Sequence, residues 1–127
     1  MKIIHLNKND EYWNRLIEFA ENCSWIAGKH LAKLMRNNSF SDWEAVFAAV
    51  EADNILGFCT FLKEDYYPEN RYSPWISSIF VDEKSRGKRI SHKMIETSIQ
   101  YARCGFSPID TLKNYGGDMD TIFMKEI

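Results

Sequence analysis

The 127 residues are enough to bury one hydrophobic core but not a second, so the sequence predicts a single domain spanning residues 1–127. No apolar run reaches the roughly 18 residues that would span a bilayer, and charge follows the first residues too soon for a secretory signal. These features predict a cytoplasmic protein with no membrane partner. The formal charge of −2 argues against a general nucleic-acid binder.

The three cysteines, Cys23, Cys59 and Cys104, are far apart and show neither CxxC spacing nor a histidine at ligand spacing. Isolated cysteines in odd number are typical of reduced, mostly buried thiols. The sequence therefore predicts neither a disulfide framework nor a metal site. The three histidines, His5, His30 and His92, are also isolated. His92 lies just inside a predicted helix start, where it is either a simple surface residue or a contact for a phosphate.

The first third of the chain predicts a strand followed by two helices. Residues 2–6 form a short apolar run, and Asn9-Asp10 supplies capping chemistry for a helix over residues 10–22. Ser24 is the predicted cap of a second helix, which stops at residues 37–39. Apolar residues recur at helical spacing in both segments, so each helix buries one stripe: Trp13, Leu16, Ile17 and Ala20 in the first, and Ala27, Leu31, Leu34 and Met35 in the second.

The following segment predicts an antiparallel hairpin. Residues 43–51 alternate between two faces, and residues 55–62 repeat the strand character after a short polar turn. Gly57 inside the second strand indicates a bulge or a close backbone approach. Turn-forming residues dominate positions 63–73, a predicted loop that either packs in the ordinary way or supplies a substrate wall through Tyr66, Tyr67 and Tyr72.

Residues 73–106 predict a strand, a basic loop and a helix in immediate succession. The strand ends at Val81, a polar turn covers residues 82–85, and Arg86-Gly87-Lys88-Arg89 leads into a helix whose apolar stripe begins at Ile90. A glycine-bearing loop that enters a helix gathers unpaired N–H groups and the positive end of the helix dipole in one small volume. The sequence therefore predicts an anion-binding cradle.

Two other interpretations of the basic loop are a solvated surface turn and a nucleic-acid contact patch. The second is disfavoured because aromatic residues are not interleaved with the basic ones. The helix is predicted to end at Gly105, and residues 106–112 and 121–127 predict two closing strands around a turn at Gly116-Gly117. The predicted fold class is α+β, with a mixed, mostly antiparallel central sheet flanked by helices.

The order of these elements, with Val81, Arg86, Gly87, Ile90 and Ser91, resembles the GNAT family of acetyl-CoA-dependent N-acetyltransferases. In that family the loop after a Val-ended strand often reads Arg-Gly-Xaa-Gly-Ile-Gly. Here Arg89 replaces the second glycine and Ser91 the last small residue. The resemblance implies an acyl-CoA N-acyltransferase-like fold. It also implies transfer of acetyl from acetyl-CoA, the cosubstrate, to a primary amine of a small molecule or peptide.

The resemblance further implies where the cosubstrate binds. Backbone groups of Ile79 and Val81, on either side of Phe80, would bind the thioester carbonyl and the pantetheine arm, with the Ile79 N–H as oxyanion donor. The pyrophosphate would be held by the segment that follows, Arg86, Gly87, Lys88, Arg89, Ile90 and Ser91.

Direct acetyl transfer needs a base for the amine and benefits from an acid for the thiolate. Glu64 or Asp65 is the candidate base, directly or through water, unless these carboxylates are merely solvated. Tyr101 is the candidate acid, because its spacing to Gly105 and Phe106 is similar to a family motif, unless that spacing is a coincidence of an amphipathic helix. Cys59 and Cys104 rank lower as nucleophiles because no base is evident for them.

The chain departs from the family in its C-terminal region. It has no room for both the further strand and the further helix that members place before the closing hairpin. An open sheet edge would follow, and such edges are usually covered, which predicts a homodimer whose C-terminal strands are exchanged or abut. The shortened region also keeps open a second function, that of a non-catalytic acyl-CoA-binding sensor or degenerate remnant.

Overall fold

The computed structural model describes residues 1–64 and 72–103 with their side chains, and the backbone of two strands within residues 106–113 and 119–125. Six strands and three helices alternate in these parts of the chain: β1 (Lys2–Leu6), α1 (Glu11–Asn22), α2 (Ile26–Arg36), β2 (Ala45–Glu51), β3 (Asn54–Leu62), β4 (Trp75–Val81), a 3₁₀ turn (Glu83–Ser85), α3 (Ile90–Arg103), β5 (Phe106–Lys113) and β6 (Met119–Lys125). The predicted α+β order is confirmed.

The first four strands form one antiparallel sheet in the order β1-β2-β3-β4, and β5 pairs with β6 in a separate two-stranded sheet. Antiparallel pairing follows from the tight turn between β2 and β3, which reverses the chain between adjacent strands. Among the described strands, β4 is therefore an edge of the four-stranded sheet.

The alternation of side chains along β2 assigns the helices to two layers. Val46, Ala48 and Val50 pack with α1 and α2, whereas Ala45, Phe47 and Ala49 face the other way and pack with α3. Each helix buries one stripe. The stripe of α1 is the predicted one, whereas in α2 the predicted Ala27 and Leu34 are only partly buried. The buried members are Trp13, Leu16, Ile17 and Ala20 in α1, Leu31, Ala32 and Met35 in α2, and Ile90, Met94 and Ala102 in α3.

The start of α2 corrects the sequence prediction. Trp25 rather than Ser24 is the N-cap, and no side chain caps the helix. The Ser24 hydroxyl instead donates a hydrogen bond to the Glu83 carboxylate, 59 positions away. Asp10 is the N-cap of α1, but its carboxylate accepts from the Asn7 N–H rather than from the helix. Local capping rules fail where a serine or aspartate finds a better partner outside the helix.

Both predictions for Gly57 are confirmed. The pairing of β2 with β3 shifts between Ala49 and Val50, which leaves Leu56 as an extra residue of β3 beside Gly57. A Cβ atom at Gly57 would lie inside contact distance of the Phe80 carbonyl oxygen. The backbones of β3 and β4 therefore approach each other closely only because this residue has no side chain.

Other predicted features differ in extent or lie elsewhere. The last strand is Met119–Lys125 rather than residues 121–127. The Gly116-Gly117 turn, Cys104-Gly105, Asp65, Tyr66 and Tyr67 lie outside the described residues. In the parts of the chain that are described, no helix has both the length and the apolar composition needed to cross a bilayer.

Candidate active site

A cleft of about 380 Å³ lies between the end of β4 and the start of α3 and is called the loop cleft below. Every residue predicted to bind the cosubstrate lines it except Lys88, which belongs to the same loop. Among the residues that the structure describes, the lining is Trp25, Ile79, Phe80, Val81, Ser85, Arg86, Gly87, Arg89, Ile90 and Ser91. Residues that the sequence analysis grouped by pattern are thus grouped in space.

The backbone N–H groups at the start of α3 are available to a ligand. Arg86 N–H donates to the Glu83 carbonyl at 3.5 Å, and Lys93 N–H donates to the Arg89 carbonyl at 3.1 Å. Between these two, the N–H groups of residues 87–92 donate to no acceptor in the described parts of the chain. Unpaired N–H groups at a helix N-terminus favour an anion, because they supply both donors and partial positive charge.

The conformation of the loop concentrates these donors. Gly87 and Arg89 both adopt a left-handed backbone, with φ of +84° and +59°. Left-handed residues alternating with ordinary ones turn successive N–H groups toward one side, which makes a concave anion site. Arg89 keeps this conformation although it has a Cβ, at a cost of about 1 kcal/mol.

Side-chain charge adds to the backbone donors. Arg86 Nε donates to the Val81 carbonyl at 3.0 Å, and its guanidinium lies 5.8 Å from the Phe80 ring centroid. Glu83 Oε1 lies 3.8 Å from Arg86 Nη2 and accepts from the Ser24 hydroxyl at 2.6 Å. The Ser24 hydroxyl, followed by backbone hydrogen bonding and Arg86, lowers the pKa of Glu83. Arg86 is thus held at the rim of the loop cleft by several contacts.

Strand β4 contains a bulge next to the loop cleft. Pairing with β3 shifts so that Ser78 and Ile79 together face Cys59, and Ser78 has a φ of +51°. Beyond the bulge, Asp82 N–H donates to the Leu56 carbonyl of β3 at 2.8 Å. Because successive N–H groups of a regular strand alternate between its two edges, the Asp82 bond to β3 implies that the N–H of Val81 points away from β3.

A second, larger hollow of about 750 Å³ lies between α2 and the ends of β3 and β4 and is called the α2 groove below. It begins where the loop cleft ends, since Ser77 and Ser78 line the groove and Ile79 lines the cleft. The described residues that line it are Trp25, Ala27, His30, Leu34, Ser39, Glu44, Leu62, Lys63, Glu64, Ser77 and Ser78. Two ligands bound in the cleft and the groove would meet at the bulge.

The two side chains predicted to act as base and acid, Glu64 and Tyr101, lie in different surroundings. Glu64 is exposed and lines the α2 groove, within the region where an acceptor would lie. Tyr101 lines neither hollow, and its hydroxyl donates to the Trp43 carbonyl at 2.8 Å. Its ring packs against Phe47 and Phe61, with centroids 5.7 and 5.4 Å away. The interpretation of Tyr101 as general acid therefore gains no support from its position.

Sequence reasoning missed several residues of these hollows, and Trp25 and Glu44 are the two that bear most on the site. Trp25 lines both, and nothing in its local sequence indicates this because α2 is brought to β4 by long-range packing. Glu44 lines the α2 groove, and its two carboxylate oxygens accept from the N–H groups of Ser41 at 2.7 Å and Lys63 at 2.9 Å. The bond to Lys63 depends on the β2–β3 pairing, so no local motif could reveal it.

An antiparallel sheet between two helical layers, with a bulged edge strand that leads through an amide-rich loop into a helix, is an acyl-CoA N-acyltransferase-like fold. The sequence profile of the acetyltransferase (GNAT) family matches residues 9–112, most of the chain. The chain belongs to the GNAT family. No curated protein matches the sequence.

Solved structures support the fold. An aminoglycoside acetyltransferase from an uncultured soil metagenomic sample, in complex with sisomicin, is 26% identical, with 92% of this chain and 80% of that chain covered and a TM-score of 0.56. An aminoglycoside 6′-N-acetyltransferase complexed with coenzyme A is 13% identical, covering 99% and 96%, with a TM-score of 0.56. An aminoglycoside 6′-acetyltransferase type Ii is 14% identical, covering 98% and 96%, with a TM-score of 0.57.

The position of Arg89 allows backbone strain and charge to be tested separately. Arg89→Gly relieves the strain and Arg89→Ala keeps it, so the glycine variant should be more stable than the alanine variant by up to about 1 kcal/mol in urea unfolding. Both variants lose a cation that lines the loop cleft, so the affinity of the cleft for an anionic ligand should fall about threefold to fivefold, as for an exposed ion pair. Equal stability of the two variants would show that the positive φ is not strained.

Cys59 is expected to be chemically inert in the folded protein. Its thiol is fully buried, with Sγ 3.2 Å from Ser98 Oγ, and burial raises its pKa to about 11. Alkylation at mildly alkaline pH followed by peptide mapping should modify the half-buried Cys23 and leave Cys59 unmodified until the protein is unfolded. Rapid modification of Cys59 in the native protein would contradict this expectation and would support Cys59 as a candidate nucleophile.

Proposed function

We propose that this protein is an N-acetyltransferase, a single domain that transfers acetyl from acetyl-CoA to a primary amine of a small molecule or peptide. The observation that carries the proposal is the run of N–H groups at residues 87–92 that have no acceptor among the described residues, beside the cleft that Arg86 and Arg89 line. A diphosphate offers the acceptor oxygens and negative charge that such a site requires.

The lining of the loop cleft fits an acyl-CoA. Its loop end offers N–H groups and cations to the pyrophosphate, whereas Ile79, Val81 and Ile90 supply apolar surface to the uncharged pantetheine arm. Apart from its two chain neighbours, no described residue has an atom within 4 Å of a Cβ built on Gly87, so the loop leaves room for a bulky ligand. Acetyl-CoA supplies the acetyl group in activated form, as a thioester.

In the proposed mechanism the residues of this chain position the reactants and move one proton. The Ile79 N–H donates to the carbonyl oxygen as that oxygen gains charge, and the Val81 N–H binds the pantetheine arm. Glu64 accepts one proton of the ammonium group, directly or through water, which frees the amine lone pair for attack on the thioester carbonyl carbon. The C–S bond then breaks, coenzyme A leaves as a thiolate, and the second proton that the nitrogen loses passes to that thiolate through water. Glu44 suits this role less because backbone N–H groups already occupy both of its oxygens.

Aminoglycosides are the first acceptors to test. The proteins solved with sisomicin and with coenzyme A are both aminoglycoside acetyltransferases by name. The α2 groove, at about 750 Å³, has the volume of a small-molecule site. Polyamines and peptides with free N-termini complete the panel, since the groove does not by its volume distinguish among these amines.

The deciding experiment is a calorimetric titration with acetyl-CoA followed by an assay of thiol release with the amine panel. Saturable binding together with amine-dependent thiol release supports the proposal. The matched control is Glu64→Gln, which keeps the shape of the side chain but cannot accept a proton. We expect it to lower kcat at least about 100-fold, typical of a lost general base, while the affinity for acetyl-CoA stays unchanged. Absence of binding at millimolar acetyl-CoA would overturn the proposal.

The second candidate function is a non-catalytic acyl-CoA sensor. The observation that favours it is the position of Tyr101, whose hydroxyl is engaged by the Trp43 carbonyl and lies outside both hollows. A sensor needs the loop cleft but no acid or base. Tight acetyl-CoA binding with no thiol release for any amine of the panel would favour this function.

A homodimer that covers the outer edge of β4 through the C-terminal strands is part of the proposal. Among the described strands β4 pairs only with β3, so its outer edge is available for a partner. Light scattering at micromolar concentration tests this, and a pure monomer would exclude the dimer without affecting the proposed chemistry.

A further inference from the structure

The connection between α1 and α2, residues 23–25, is fastened to the turn that precedes the loop cleft. Ser24 Oγ donates to Glu83 Oε1 at 2.6 Å, and Glu83 opens the 3₁₀ turn that leads into the loop. A hydrogen bond to an ionised carboxylate is shorter and stronger than one between neutral groups. This contact joins the layer of α1 and α2 to the phosphate end of the loop cleft.

The next residue, Trp25, packs against Phe80 on one side and is exposed on the other. Its ring centroid lies 5.5 Å from that of Phe80, which is buried and stacks in turn on Phe58 at 5.5 Å. Yet 43% of Trp25 remains exposed, and the residue lines both the loop cleft and the α2 groove. An aromatic ring supported on one face and open toward two hollows is suited to pack against bound ligands.

Its neighbour Ile26 shows that an exposed apolar side chain at this helix end does not have to line a hollow. Ile26 is 76% exposed at the same helix end, but it lines neither hollow. The two adjacent apolar side chains therefore differ in what lies beside them. This difference makes Ile26 a matched control for Trp25.

We propose that Trp25 is a positioning residue: it forms the wall common to the loop cleft and the α2 groove, and the Ser24–Glu83 hydrogen bond holds that wall in place. The inference rests on the proposed function, in which the thioester lies in the cleft and the amine in the groove. A fixed wall between them sets the angle at which the amine reaches the acetyl group. A displacement of about 1 Å at such a site can cost about 100-fold in rate.

The first test compares Trp25→Ala, Trp25→Phe and Ile26→Ala in the thiol-release assay with the best amine of the panel. Trp25→Ala should lower kcat/KM for the amine by at least about tenfold, whereas its Kd for coenzyme A changes by less than about threefold. Trp25→Phe, which keeps an aromatic wall, should recover most of the rate, and Ile26→Ala should behave as the unchanged protein. Equal losses in Trp25→Ala and Ile26→Ala would overturn the inference.

The second test needs no amine and uses coenzyme A as the probe. Acrylamide quenching of tryptophan emission reports the accessibility of Trp25, whereas Trp13 is buried and Trp43 and Trp75 are partly buried. Saturating coenzyme A should reduce quenching by about half, since Trp25 borders the filled cleft, and the reduction should vanish in Trp25→Phe. Even without coenzyme A, acrylamide should quench the tryptophan emission of Ser24→Ala more strongly than that of Ser24→Thr, which keeps the hydroxyl.

The outcomes separate the inference from the proposed function. Calorimetric binding of coenzyme A with unchanged quenching, or equal quenching of Ser24→Ala and Ser24→Thr, overturns the inference alone. Absence of any binding overturns the proposed function, and the inference with it. Binding, protection of Trp25 and loss of its anchoring in Ser24→Ala together support Trp25 as the fixed wall of the loop cleft, and the loss of rate in Trp25→Ala supports its role in positioning the amine.

Discussion

Replacing Gly57 by alanine is expected to lower the free energy of unfolding by about 3 kcal/mol, at the upper end of the cost of overpacking. The added Cβ would meet the Phe80 carbonyl oxygen and lie 3.1 Å from the Val81 Cα. Both are backbone atoms of β4, so no side-chain rotation can relieve the contact. The two strands would have to separate beside the loop cleft. Urea unfolding, with the midpoint and slope reported separately, measures the loss.

The matched control for Gly57→Ala is Gly87→Ala. A Cβ at Gly87 meets no atom of the described residues within 4 Å apart from its own chain neighbours, so the backbone conformation at φ +84° is what opposes the substitution. A cost of about 1 kcal/mol is expected from that conformation. Equal stability of the two variants would contradict the close approach of β3 to β4.

Gly87→Val is expected to weaken the binding of coenzyme A about 30-fold without unfolding the protein. Valine is disfavoured at φ +84°, so the loop should turn away from its present conformation and scatter the N–H groups of residues 87–92. Loss of one hydrogen bond to a charged group, about 2 kcal/mol, corresponds to this factor. Isothermal calorimetry measures the affinity, and circular dichroism checks the fold.

Lys88→Ala is the control that separates the contribution of the backbone N–H groups to coenzyme A binding from that of side-chain charge. Lys88 is an exposed cation of the same loop, and its removal should weaken binding only about threefold. Raising the salt concentration should shrink the effect of Lys88→Ala, because exposed charges are screened, but leave most of the effect of Gly87→Val. Unchanged affinity in Gly87→Val would show that the loop is not the phosphate site.

The order and type of the elements could be predicted because they depend on local patterns. Helical spacing in α1 and α2 and alternation in β2 follow from which faces must be buried, and the observed layers use those same faces. Gly57 and the glycine-bearing loop were also recognisable. A residue without Cβ is informative wherever backbones or ligands come close.

Side-chain partners across the fold could not be predicted in the same way. Ser24 matches the pattern of a helix cap, but it bonds to Glu83. Tyr101 has the spacing of a family motif, yet its hydroxyl bonds to the Trp43 carbonyl on the face of α3 that packs on the sheet. In both residues a local pattern competes with a partner that only folding brings within reach.

The sequence by itself determined the α+β order, the resemblance to the GNAT family and the segment that forms the loop cleft, because periodicity, glycine and turn chemistry act over a few neighbouring residues. Three placements could be seen only in the folded protein. Trp25 lines both hollows, Glu64 lines the α2 groove, and Tyr101 does not line the loop cleft. These positions depend on contacts between residues far apart in the chain, whose geometry is fixed when the helices pack on the sheet.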